Sequence, residues 1–308
     1  MDCFFIKNFN ILHNVFQNTC YNLSMKIILA GTPEFSVRSF EEVINHFDVV
    51  GIITQPDRPK GRGQKVIETP VKQLAKRYGI KTFQPEKISE IYEELKDMDF
   101  DILLTCAYGQ YIPQRILDLP KIAALNIHGS LLPKYRGAAP IHYSILNGDE
   151  ETGITLMYMV KEMDAGDMIF KASTPIEEGY TTGLMFGILS MIAADHITEW
   201  LNNIEKGLFN RYPQAKEEVS FSPKITKEEC EITSEKTIFE SQRMIKAFNP
   251  FPGAFIMRDG KKFKILNYSN NQEGIEFKVK DGSIYITELQ APGKKALPYK
   301  EFLKGSEF

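Results

Sequence analysis

The 308-residue sequence predicts an α/β domain, a parallel sheet covered on both faces, followed by a small β-rich domain. Three observations predict it. From residue 26 onward, continuous apolar runs alternate with stretches of helical periodicity, the pattern of parallel strands joined by crossover helices. Residues 207–222 break the alternation with Gly207 and Pro213, which marks a linker. Beyond it come short strand-like runs punctuated by Asp259-Gly260 and Asp281-Gly282, both hairpin signals. The expected division is an extension over 1–24, a first domain over 25–206, the linker, and a second domain over 223–308.

Residues 1–24 are rich in Asn and Phe, with Lys7 as their only basic residue. They lack the arginines of a mitochondrial presequence and the long apolar stretch of a secretory signal. They are expected to lie outside the fold, with Met25 as the natural start. Lys26–Ala30 then opens the first strand. A helix near 34–45 follows Gly31-Thr32-Pro33, and a strand over 48–54 leads into a basic loop, 55–68. A helix over 70–78, a short strand near 80–83 and a helix near 87–96 precede the strand 101–106. A short helix follows Pro113, then a strand over 122–127. Gly153–Val160 and Met168–Ala172 form two further strands joined across Asp164-Ala165-Gly166, and a long helix near 181–206 closes the domain. The second domain is expected to hold a helix near 234–247 and strands at 254–257, 262–267, 274–279 and 283–288, the pattern of a small barrel.

Composition excludes several classes. No apolar run is read as long enough to cross a membrane. The four cysteines (Cys3, Cys20, Cys106, Cys230) include no Cys-x-x-Cys pair, so they read as reduced thiols of a cytoplasmic protein, with no metal site. No interface signal stands out, and a monomer is expected. The net charge of −3 hides an asymmetry. Residues 222–308 carry 15 basic against 12 acidic side chains, and residues 1–221 carry 22 against 28. Within the acidic part, residues 55–78 hold seven basic side chains against two acidic ones. Such a patch fits a polyanionic partner, or simply a solvated surface.

The chemistry concentrates at Asn126-Ile127-His128-Gly129-Ser130-Leu131-Leu132-Pro133. Alternate side chains of a strand share a face, so Asn126 and His128 point together. They stand where the strand becomes a loop, and ligands of open α/β sheets bind beyond the carboxyl ends of strands. Polar residues at a strand end can also be ordinary core residues. Here a second cluster, Met163-Asp164-Ala165-Gly166-Asp167, follows at the end of the next strand, and Asp164 can orient His128. An amide donor beside a titratable base equips a site for acyl transfer. No nucleophile elbow accompanies them, so transfer without a covalent enzyme intermediate is expected. Gly31-Thr32-Pro33 lacks both the dinucleotide fingerprint and the P-loop lysine, which rejects a nucleotide site there. Gly61-Arg62-Gly63 reads as a mobile arm carrying an exposed guanidinium, or as a plain loop.

These residues carry a resemblance. Asn126-x-His128 with Ser130-Leu-Leu-Pro133, Arg136-Gly-Ala-Ala-Pro140 and Asp164-x-Gly166-Asp167 resembles the formyltransferase family that uses 10-formyltetrahydrofolate. Ala30-Gly-Thr-Pro-Glu-Phe35, Thr54-Gln-Pro-Asp-Arg-Pro59, Gly61-Arg-Gly63, Ala247-Phe-Asn-Pro250 and Leu289-Gln-x-x-Gly-Lys-Lys295 narrow it to the branch that formylates initiator Met-tRNA. The likeness spans about residues 25–308. It implies a Rossmann-like formyltransferase domain and an OB-like barrel that helps hold tRNA. The implied catalytic trio is Asn126, His128 and Asp164, and the implied folate-contacting stretch is Ser130, Leu131, Leu132 and Pro133. Arg58, Lys60, Arg62 and Lys65 fall in the implied tRNA-facing loop. The loop 108–113 is suited to a flat pterin. The chain departs from the family in its 1–24 extension and in a shortened stretch between Tyr268 and Gly274. A sugar-nucleotide formyltransferase shares the core motifs but generally lacks the Gly-Arg-Gly loop and the Gly-Lys-Lys ending. A glycinamide-ribonucleotide formyltransferase has no second domain, and an inactive RNA-binding relative has no need of the trio.

Overall fold

The computed structural model describes residues 25–60 and 65–305. The expected extension 1–24 and Arg62 lie outside the described residues. The main sheet holds β1 (Lys26–Gly31), β2 (Asp48–Ile53), β5 (Thr82–Phe83), β6 (Ile102–Cys106), β7 (Ala123–His128), β9 (Glu151–Tyr158) and β10 (Met168–Pro175). Their order is β10-β9-β7-β6-β1-β2-β5. The five strands from β7 to β5 are parallel. The remaining two run antiparallel, which the expectation of a parallel sheet did not contain. The cause is topological. After helix Pro140–Asn147 the chain enters β9 at the end of the sheet where β7 leaves and runs back, with Thr155 beside His128.

The order reverses between β6 and β1, a switch point that opens a crevice beyond their carboxyl ends. Apolar faces of the covering helices seal the sheet. Phe35, Val37, Phe40 and Val43 of helix Glu34–His46 pack toward Met185, Leu189, Ala193 and Ile197 of helix Thr182–Glu205. The latter helix is long and apolar enough, by length and composition, to cross a membrane, contrary to the sequence reading. Its apolar stripe is committed to the core of this fold. Cys106 and Cys230 are free and buried, and burial pushes the Cys106 thiol up to about 12.

The basic loop contains a hairpin that the sequence reading missed, β3 (Arg58–Lys60) paired with β4 (Lys65–Ile67). The stretch read as a linker is not a free tether. Its β11 (Phe221–Ser222) pairs in parallel with β8 (Arg136–Gly137), directly after the Asn126–Pro133 motif. The second region is β-rich: β12 (Phe255–Arg258), β13 (Lys261–Ser269), β15 (Gly282–Gln290) and β14 (Ile275–Val279) lie in that order, with β16 (Ala296–Pro298) beside β15. Asp259 and Gly260 both take positive φ, 49° and 72°, as the first hairpin signal requires. Among the described residues no pairing joins β12 to β14. Helix Ile238–Ala247 begins with a capping box between Thr237 and Glu240 and packs between this sheet and helix Pro140–Asn147.

Candidate active site

A cavity of about 520 Å³ opens beyond the carboxyl ends of β6 and β7. Asn126, His128 and Asp164 all line it, with the loop Ala107–Ile112 on one side and Ala138–His142 on the other. Tyr111 and Met163 stand about two-thirds exposed at its mouth, 66% and 67%, an apolar rim open to solvent.

Each polar group is held by a neighbour. The Thr105 hydroxyl of β6 donates to Asn126 Oδ1 at 2.7 Å. That fixes the amide with its Nδ2 donors left over for the cavity. His128 is buried, and its Nε2 lies 2.9 Å from the Tyr135 carbonyl. A carbonyl only accepts, so Nε2 is assigned the ring proton and the neutral ring's lone pair sits on Nδ1. Nδ1 faces Asp164 Oδ2 at 3.7 Å, beyond direct hydrogen-bond reach. The same Oδ2 accepts the Gly137 amide at 2.9 Å. Gly137 has φ of 123°, and a Cβ there would come within 2.7 Å of the Ser222 carbonyl, so glycine alone fits this contact.

Asp164 itself has φ of 50°, a conformation that costs an ordinary side chain energy. Its loop is clamped from the linker. Gln214 Nε2 donates to the carbonyls of Asp164 and Gly166, both at 2.8 Å. Arg136 Nε in turn donates to Gln214 Oε1 at 2.8 Å. Ser222 Oγ donates to the Tyr135 carbonyl at 3.0 Å, beside the proton of His128. Thr105, Gln214 and Ser222 were missed by sequence reasoning. Thr105 had a signal, a hydroxyl inside the apolar run Ile102–Cys106; Gln214 and Ser222 had none, because linker composition says nothing about where a linker lies.

Ser130, Leu131, Leu132 and Pro133, implied as folate contacts, do not line this cavity. Ser130 is fully buried and donates to the Lys134 carbonyl at 2.6 Å. The Leu132 amide donates to Thr155 Oγ1 at 3.1 Å, and Thr155 Oγ1 donates to the Ser130 carbonyl at 2.7 Å. Through Thr155 the stretch ties the end of β7 to β9. Leu131, Leu132 and Pro133 instead edge a separate depression with Thr152, Lys171 and Glu218. The loop Ala107–Ile112, anchored where Gln55 Nε2 donates to the Tyr108 carbonyl at 3.1 Å, occupies the cavity wall.

Four of the seven basic side chains of segment 55–78 lie against carboxylates. Arg58 pairs with Glu86, Lys72 with Asp57 and Lys76 with Glu68. Arg77 lies 3.4 Å from Glu41. Lys60 and Lys65 are paired residues of the β3–β4 hairpin. Among the described residues, no group of His, Cys, Asp and Glu side chains could hold a metal ion.

The formyl transferase family's sequence profile matches residues 25–187, and the profile of the formyl transferase C-terminal domain matches 224–307. A methionyl-tRNA formyltransferase of Mycoplasmopsis pulmonis is 48% identical over 274 residues, 88% of this chain and 95% of the relative. The chain belongs to the methionyl-tRNA formyltransferase family. A second member, from Lactobacillus gasseri, is 40% identical over 91% of this chain and 95% of its own length. Among solved structures, the fold matches WlaRD, a sugar 3N-formyl transferase, with a TM-score of 0.65 at 22% identity over 88% of this chain and 99% of that one. It also matches HypX from Aquifex aeolicus, solved with tetrahydrofolic acid, with a TM-score of 0.62 at 19% identity over 91% of this chain and 47% of that one. At those identities the likeness is one of fold. The family fold, a Rossmann-like α/β domain with a β-rich C-terminal domain, agrees with the sheets described above.

Proposed function

We propose that this chain transfers the formyl group of 10-formyltetrahydrofolate to the α-amine of methionine on initiator Met-tRNA. The observation that carries the reading is the convergence of Asn126, His128 and Asp164 on one cavity, in a chain 48% identical to a methionyl-tRNA formyltransferase. As the amine adds to the formyl carbon, Asn126 Nδ2 donates to the developing oxyanion, a contact whose removal typically costs ~10²–10³ in rate. His128 Nδ1 is the lone pair available to take the amine's surplus proton, since Nε2 is committed to Tyr135. The protonated ring then returns a proton to the folate N10 as the carbon–nitrogen bond to it breaks. Asp164 holds the charged ring by charge pairing across the 3.7 Å gap. No protein atom becomes covalently attached. The flat pterin is placed against the loop Ala107–Ile112 and the apolar rim. The setting is cytoplasmic translation initiation.

The test is formyl transfer from labelled 10-formyltetrahydrofolate to three acceptors in parallel: Met-tRNA, an amino-sugar nucleotide and glycinamide ribonucleotide. Met-tRNA alone is expected to become labelled; label on either other acceptor instead would overturn the reading. His128→Ala and Asp164→Ala should each lose most of the rate while keeping the wild-type circular dichroism spectrum.

A further inference from the structure

One aromatic side chain is left unexplained by the site. Phe251 is 76% exposed, the most exposed large apolar residue among the described residues. It stands on the loop Asn249–Pro252, which is pinned on both sides. The Asn249 carbonyl accepts from the Gly183 amide at 3.0 Å, at the start of the helix that carries Phe186 into the cavity wall. The Phe251 carbonyl accepts from His142 Nε2 at 3.2 Å, and His142 lines the cavity as well. The loop's backbone is thus tied to the two helices that contribute His142 and Phe186 to the cavity wall.

The surroundings are positive. Lys264 runs alongside Gly253: a Cβ on that glycine would lie 3.3 Å from the lysine Nζ. Lys262, on the same face of β13, holds its ammonium 3.5 Å from the centre of the Phe255 ring. Burial first, and then the charge of Lys264, hold Lys262 below the usual lysine range; Glu231 opposes this only in part. In contrast to the hairpin's Arg58 and helix residues Lys72 and Lys76, each paired with a carboxylate, these two lysines form no ion pair among the described residues. An exposed aromatic ring on a loop that Lys264 adjoins at Gly253, with Lys262 on the same face of β13, is the equipment of a single-strand nucleic-acid track.

We infer that Phe251 is a stacking platform for an unpaired nucleotide of the acceptor's single-stranded 3′ end, one preceding the aminoacylated adenosine, with Lys262 and Lys264 contacting the adjoining phosphates. The inference rests on the proposed Met-tRNA acceptor. A base has a π face whatever its identity, so the contact positions the strand without reading sequence. It feeds the terminal nucleotide past His142 toward His128.

The test uses the full chain and two acceptors, Met-tRNA and methionyl-adenosine, which lacks every nucleotide before the terminal one. Phe251→Ala should raise the KM for Met-tRNA by about 10-fold or more. It should leave kcat, the folate KM and turnover of methionyl-adenosine unchanged. Phe251→Trp should restore the KM, and Phe251→Leu should not. Lys262→Ala with Lys264→Ala should lower the slope of log KM against log salt by about two. A Met-tRNA KM within twofold of wild type, an equal loss with methionyl-adenosine, or full rescue by leucine would overturn the platform. If the wild-type protein formylated no Met-tRNA, the acceptor assignment would fail instead, a result visible before any variant is made.

Discussion

Replacing Gln214 tests whether the segment between the two domains holds the catalytic loop in shape. Its side chain makes three hydrogen bonds at 2.8 Å, two given to the carbonyls of Asp164 and Gly166 and one accepted from Arg136. Each neutral bond contributes about 0.5–1.5 kcal/mol net. Gln214 is half-buried, so water replaces part of what alanine removes, and roughly 2 kcal/mol is the expected loss from the loop. The left-handed conformation of Asp164 costs an L-residue about 1–2 kcal/mol. The clamp and the strain are therefore of similar size, and without the clamp the loop's competent form ceases to dominate. At 1.36 kcal/mol per tenfold, Gln214→Ala should lower kcat about 10–30-fold, with both KM values within twofold of wild type.

Gln214→Glu separates clamping from simple packing. Glutamate keeps the shape and the Arg136 contact but has no donor for the two carbonyls, and its charge faces them at short range. It should be at least as slow as the alanine variant. Hydrogen exchange gives an independent reading. The Gly137 amide donates to Asp164 Oδ2, so its protection should fall in both variants, while amides in β1 and β6 stay protected. Wild-type kcat in Gln214→Glu, or unchanged Gly137 exchange in Gln214→Ala, would refute the reasoning.

Thr105→Val removes the only side-chain donor to Asn126 Oδ1 among the described contacts and frees the amide to flip; kcat should fall about 10-fold or more, with the steady-state folate KM as the control. Thr237→Ala breaks the capping box of helix Ile238–Ala247 and should cost about 1 kcal/mol in urea denaturation without changing kcat. Burial lowers the pKa of His142, against a smaller opposing effect of its Phe251 carbonyl contact. Below its unfolded value near 6.5 the unfolded chain takes up a proton that the folded one resists, so this group destabilises the fold as pH falls. The melting temperature of His142→Gln should therefore drop less between pH 7.5 and 5.5 than that of the wild type; identical slopes would show that the ring is not desolvated.

The regular part of the fold was legible because burial writes itself as period. Strands 26–30, 101–106 and 122–127 are dominated by apolar runs since helices cover both faces, and the helix Pro70–Tyr78 announces itself with a capping threonine, a proline at its start and a glycine at its end. Asn126 and His128 were legible for a related reason: two polar groups at the end of such a run must find partners or face a cleft. What stayed illegible depends on partners distant in sequence. Within Ser130–Pro133, the Ser130 hydroxyl binds the Lys134 carbonyl and the Leu132 amide binds Thr155, contacts that the motif itself does not announce. The basic segment 55–78 holds Asp57 and Glu68 as its own counter-charges, and Glu86 and Glu41 add two more from elements whose proximity no spacing reveals.

The linker shows why this matters for mechanism. Gln214 and Ser222 approach the site from a stretch that continues directly into the second domain, and β11 fixes that stretch to β8 by backbone pairing. The two halves of the His128–Asp164 couple are thus held from the same strand of chain: Ser222 sets the carbonyl that binds the histidine proton, and Gln214 sets the loop that presents the carboxylate. A force that displaced the second domain would be transmitted along this segment to both at once, and the 3.7 Å gap between them is the distance it would change. Geometry of this kind makes the joint between the domains a working part of the site, and it places the residues that tune the chemistry outside every motif that identifies it.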